Sequence, residues 1–147
     1  MKKAFLAVGN TLKGDDGIAT YLGKLIEKEG LDWKIFYGED VPENEFHNIR
    51  RYAPDIIVVA DAMTGMEVGS VKLMDISNER DYMYSTHNLP MPILISYLRR
   101  FCKIVLFLGL NVDIKNVLEI NPEISKEAKQ TAHKALEMIY EIDKIFT

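Results

Sequence analysis

An α/β fold, a three-layer sandwich with a largely parallel five-stranded sheet and helices on both faces, is what this 147-residue chain predicts. Three observations lead there. Short, continuous apolar runs such as Ala4–Val8 and Ile56–Ala60 suit strands buried on both faces. Longer segments between them carry apolar residues at helical spacing, and strands alternating with helices build parallel sheets. The length is that of one domain, residues 1–147, and there is no internal repeat, low-complexity segment or linker rich in Gly, Ser or Pro.

The elements follow in order. Ala4–Val8 is a strand ended by Gly9-Asn10. From Asp16 to about Glu29, Ile18, Tyr21, Leu22, Leu25 and Ile26 mark a helix closed by Gly30, with Asp15 and Asp16 where a helix start favours negative side chains. Trp33–Tyr37 is a second strand. Glu43–Tyr52 is a short helix between Pro42 and Pro54. Asp55–Ala60 is the strongest strand, β-branched and apolar up to Asp61, and Val71–Ile76 is a weaker one suited to a sheet edge. A helix over Met91–Phe101, a strand over Lys103–Leu108 and a long helix over Ser125–Phe146, with Ser125 as its cap, complete the chain.

Composition narrows the function. Lys plus Arg number 18 against 22 for Asp plus Glu, so the net charge is −4, without the basic footprint of a nucleic-acid binder. One cysteine and three histidines exclude a disulfide framework, a zinc finger and an iron–sulfur site held by this chain alone. The apolar run after Met1-Lys2-Lys3 has five residues, too few for a signal-peptide core or a membrane span, so a soluble cytoplasmic protein without membrane attachment is expected.

In parallel sheets ligands bind at the carboxyl ends of the strands. That rule selects the loops Gly9–Gly17, Gly38–Glu45, Asp61–Gly69 and Gly109–Asp113. The first has P-loop glycine spacing, but Asp15 and Asp16 stand where Lys and Ser or Thr would hold phosphate and magnesium, so nucleotide binding does not fit. The two aspartates either cap the following helix or divide the work, one capping and one reaching over the sheet edge. Asp61, just past a buried strand, either bonds the amides of Met63 to Gly65 or lines a site. His87 precedes the helix at Met91, whereas His47 and His133 read as surface residues and Cys102 as a buried small hydrophobe. Met63 and Met66 offer a soft rim for a peptide. Asp16, Asp61 and His87 together form a set suited to a divalent transition metal with open positions, and equally contain a carboxylate pair for acid and base work.

These residues resemble a known family, the hydrogenase maturation endopeptidases, in its subgroup serving formate-hydrogenlyase-type enzymes. The matching motifs are Gly9-Asn10-x-Leu12-x-Gly14-Asp15-Asp16-Gly17, Asp61-Ala62 followed by Gly65, and Thr86-His87-Asn88, with Pro42-Glu43-Asn44 and Leu89-Pro90 marking the subgroup. The resemblance implies an α/β sandwich and a peptidase that cuts a short C-terminal peptide from the nickel-loaded precursor of a nickel–iron hydrogenase large subunit. It implies that Asp16, Asp61 and His87 are the metal-contacting and catalytic positions, with nickel carried by the substrate and no tightly bound metal of the enzyme's own assumed. A monomer is expected. Two departures stand out. Where the family often carries an acid before its second-strand glycine this chain has Tyr37-Gly38-Glu39-Asp40, so if an acid is needed there, Glu39 or Asp40 must supply it from a shifted position. The Pro-Gly after the third strand is Val68-Gly69. Two rivals are weighed beside this reading. A peptidyl-tRNA hydrolase would need a basic channel and a histidine soon after the first loop, whereas the first histidine after Asn10 is His47. A non-catalytic metal or precursor chaperone would bind the precursor and leave its mass unchanged.

Overall fold

The computed structural model describes residues 1–76 and 90–146. Its strands are β1 (Lys3–Val8), β2 (Lys34–Glu39), β3 (Ile56–Met63), β4 (Val71–Met74) and β5 (Ile104–Asn111). They form one sheet in the order β2-β1-β3-β5-β4. β1 runs parallel to β2 and β3, and β3 parallel to β5; β4 lies antiparallel at the edge. The helices are α1 (Ile18–Lys28), α2 (Phe46–Tyr52), α3 (Met91–Leu98) and α4 (Lys126–Ile145).

The two-residue period of the strands divides the core in two. Phe5, Ala7, Val58, Ala60 and Leu108 face one side and pack with Ile18 and Leu22 of α1 and Ala132, Ala135 and Ile139 of α4. Leu6, Val8, Ile57, Val59 and Phe107 face the other side, against Ile49 of α2 and Leu94, Ile95 and Leu98 of α3. Burial on both faces explains why β1 and β3 are apolar at every position of their central stretches. At the amino end of the sheet the Lys3 ammonium donates to Asp143 Oδ1 at 2.6 Å, and the Trp33 indole N–H donates to the same oxygen at 3.0 Å. This anchors the end of α4 to the start of β1, so α4 begins at the carboxyl edge and finishes at the opposite one.

The structure departs from the sequence expectations where a polar residue was read as a terminator. β3 continues through Asp61 to Met63, because β5 runs alongside and pairs Asp61 with Gly109, Ala62 with Leu110 and Met63 with Asn111. β5 accordingly reaches Asn111, three residues past Leu108. The first helix begins at Ile18 and not Asp16: residues Gly14–Gly17 make a separate 3-10 turn, and neither aspartate caps α1. α2 is likewise preceded by a 3-10 turn, Pro42–Glu45, and α3 stops at Leu98. No helix among the described residues is long and apolar enough to cross a membrane.

Candidate active site

The site grows from the end of β1. Gly9 has φ of +139°, and its N–H donates to the Glu39 carbonyl at 2.8 Å. A Cβ on Gly9 would lie 2.0 Å from the Asp16 carbonyl oxygen, so only glycine lets the chain fold back over the strand end at this point. The Asn10 N–H then donates to Asp16 Oδ2 at 2.8 Å, while Asn10 Oδ1 accepts from Leu12 N–H at 2.9 Å. Asp16 is thus buried beside the end of β1, held by the backbone of its own loop.

Asp15 turns the other way. Its Oδ1 accepts from Ser125 N–H at 2.7 Å, and its Oδ2 accepts from the Ser125 hydroxyl at 2.7 Å and from the Asn116 amide at 3.1 Å. Ser125 is in turn the cap of α4, its Oγ accepting from Ala128 N–H. The two adjacent carboxylates have different partners, and Asp15 anchors a helix 110 residues away, not the one that follows it.

Asp61 lies inside β3 and is fully buried. By the strand period it shares the face of Ile57, Val59 and Met63, toward α2 and α3. β3 is the direct neighbour of β1, the last pair in their ladder being Ala7 with Ala60, so Asp61 stands one residue further along, beside the end of β1. The Gly14–Gly17 turn that carries Asp16 packs against β3. Asp16 and Asp61 therefore belong to one rim at the carboxyl end of adjacent strands. A buried carboxylate is costly unless strongly partnered, so two of them on one rim need partners there.

β2 contributes the neighbouring acids. The β1–β2 register slips between Ala7 and Val8, passing over Gly38, and Glu39 has φ of +49°. Glu39 Oε1 accepts from the Thr11 hydroxyl at 3.4 Å, and Asp40 Oδ2 accepts from the Asn10 amide at 3.3 Å. Both exposed acids thus flank the Asn10–Thr11 segment.

His87, with Thr86 and Asn88, lies outside the described residues. His47 is exposed, and so is His133, whose ring meets Tyr21 edge-on at 6.3 Å. Cys102 is buried, its thiol donating to the Ile104 carbonyl at 3.4 Å, and burial pushes the thiol up from its ordinary value. Met63, expected at the rim, is instead core, whereas Met66 is half-buried. Among the described residues no three His, Cys, Asp or Glu side chains cluster as a metal-ligand set. Asn116 is the site-supporting residue that sequence reasoning missed. It ends a short 3-10 turn after β5, Ile114–Asn116, with no local pattern to mark it.

Comparison with known proteins bears on the fold and the family. The family model described as hydrogenase maturation protease (HycI) matches residues 18–142, beginning just past the first-loop motif. The chain is 31% identical over 140 residues to the hydrogenase 3 maturation protease of Escherichia coli K12, covering 93% of this chain and 90% of the relative. Among solved structures, an uncharacterized protein from Wolinella succinogenes superposes with a TM-score of 0.86 at 45% identity, covering all of both chains. The [NiFe] hydrogenase maturation protease HycI from Thermococcus kodakarensis gives 0.81 at 25% identity, over 97% of this chain and 92% of that one. A matching family model over most of the chain, a curated relative above 30% identity and the same fold in solved members lead to one conclusion: the chain belongs to the hydrogenase maturation protease family.

Proposed function

We propose that this protein is an endopeptidase that removes a short C-terminal peptide from the nickel-loaded precursor of a nickel–iron hydrogenase large subunit, the nickel arriving with the substrate as its recognition element. The observation that carries the reading is the pair Asp16 and Asp61, two buried carboxylates on the same rim of neighbouring strands. Hard, anionic oxygen donors held by a rigid sheet suit a divalent cation presented by another polypeptide, and His87 joins them as the third contact by resemblance. Family membership supports the partner and the reaction class.

Peptide hydrolysis adds water across a C–N bond. A proton leaves the attacking water, and the departing amine takes one up. In this reading the ion fixes the scissile bond in register, and an aspartate oxygen turned away from the ion accepts the water's proton. Asp16 is oriented for such a role by the Asn10 N–H, and Glu39 and Asp40 flank the same loop as the further acids. The protein acts in the cytoplasm as a monomer. The apolar stripe of α4, Ala128, Ala132, Ala135, Ile139 and Ile142, is already consumed by its own sheet, which supports that state.

The test incubates the pure protein with nickel-loaded and with nickel-free precursor and follows the precursor's mass. Loss of a C-terminal fragment from the loaded form alone is expected. Equal cleavage of both forms would remove the recognition role of the ion.

A further inference from the structure

Two loops at the catalytic rim expose large apolar side chains to solvent: Leu12 after β1, and Leu118 and Ile120 after β5, with relative exposures of 60%, 68% and 84%. Their backbones are tied together. Asn121 N–H donates to the Leu12 carbonyl at 2.7 Å, Gly14 N–H donates to the Asn121 carbonyl at 2.6 Å, and Lys13 forms a parallel bridge with Asn121. Leu12 and Ile120 each stand one residue before a bridged partner, so the pairing sets them side by side. Leu12 and Ile120 are therefore held together by the backbone, with Leu118 two residues before Ile120 in the same loop.

It is also continuous with the acids. Leu12 N–H bonds Asn10 Oδ1, and the Asn10 N–H holds Asp16, so the apolar surface begins within two residues of the carboxylate's anchor, about 7 Å along the chain at most. Exposed charges of both signs, Lys13, Lys115, Glu119 and Glu123, border it. An apolar centre with a mixed-charge border matches the anatomy of a protein–protein contact; a membrane or nucleic-acid surface would call for a basic border.

We infer that Leu12, Leu118 and Ile120 form a docking surface for an apolar, folded face of the precursor that flanks its scissile tail. The inference rests on the endopeptidase reading above. The cleaved segment itself must reach Asp16 and Asp61, so a patch beside them is left for the body of the substrate. Docking there supplies affinity in both ground and transition states, which lowers KM without acting on the chemical step.

The test measures cleavage of the nickel-loaded precursor by the full-length Leu118→Ser, Ile120→Ser and doubly substituted proteins. Ile145→Ser serves as control, being 74% exposed at the far end of α4. Each rim substitution should raise KM about tenfold, and the double about a hundredfold, while kcat falls no more than about twofold and Ile145→Ser leaves KM where it was. Wild-type KM in both rim variants, alongside an inactive Asp61→Asn protein, overturns the docking surface and leaves the reading of the acids intact. Full cleavage by Asp61→Asn would instead strike that reading, and rim variants still raised in KM would uphold the surface. A concentration-dependent dimer in wild type that Ile120→Ser dissolves, with KM unmoved, assigns the patch to a second copy and also overturns the inference.

Discussion

Replacing Asp15 by alanine removes a carboxylate that accepts three hydrogen bonds: from Ser125 N–H and the Ser125 hydroxyl at 2.7 Å each, and from the Asn116 amide at 3.1 Å. Asp15 is only 2% exposed. Hydrogen bonds to a charged acceptor contribute about 1.5–3 kcal/mol each, and losing the acceptor leaves buried donors unsatisfied. Asp15 also lines two clefts of about 360 and 350 Å³, through which water can reach part of the vacated space and replace some partners. The net cost should therefore fall below the low end of that sum, to about 3–4 kcal/mol, or roughly 10 °C in Tm for a domain of this size. Asp15→Asn keeps the shape and one acceptor and should cost about 1–2 kcal/mol. Ser125→Ala removes the helix cap as well as one partner, so a double-mutant cycle between the two positions should return a coupling of about 1–2 kcal/mol. Urea unfolding followed by circular dichroism reads the four variants against the wild type. A loss below about 1 kcal/mol in Asp15→Ala, or a cycle that closes to zero, would refute the claim that this carboxylate joins the first loop to α4.

Three further predictions concern the two ends of the sheet, the first beside the site and the others at the opposite edge. Gly9→Ala places a Cβ 2.0 Å from the Asp16 carbonyl oxygen at a φ that L residues avoid; it should cost about 2–4 kcal/mol and lower cleavage at least about tenfold by displacing Asp16, read by thermal melts and precursor turnover. Lys3→Met breaks the pair with Asp143, whose side chain is 24% exposed, and should cost about 2–3 kcal/mol, less than a fully buried pair would; a change under about 0.5 kcal/mol would contradict this. The Cys102 thiol, raised by burial, keeps its proton in the native state at pH values where the unfolded chain has already lost it. Its contribution to stability is therefore complete below the ordinary thiol value and lost as pH rises through the raised one. Iodoacetamide at pH 8 should label the native protein at least about tenfold more slowly than the urea-unfolded chain.

The layers of this fold were legible because its central strands are buried on both faces, so Ala4–Val8 and Ile56–Ala60 announce themselves as unbroken apolar runs. The long helix was equally legible: Ser125 caps it as expected, and its ends fall within a residue of the forecast. What the sequence hid was long-range pairing. Asp61 reads as a strand terminator because a charged residue is improbable inside a sheet, and only the alignment of β3 with β5 carries the strand past it. The partner of Asp15 is 110 residues away, and nothing local to either residue points to the other. Glu39 and Asp40 were named as a shifted replacement for an expected acid, yet their contacts with Thr11 and Asn10 follow from the slipped β1–β2 register, which is a property of two strands together.

At the centre of the account is the claim that Asp16 and Asp61 contact the nickel of the incoming precursor. Nickel K-edge absorption of the loaded precursor, alone and frozen with the protein before cleavage, reads that contact at the ion itself. Wild-type protein should add oxygen ligands to the nickel shell, and the Asp16→Asn, Asp61→Asn double variant should add fewer. An unchanged nickel shell in a mixture whose precursor is bound, and goes on to be cleaved, would contradict the claim.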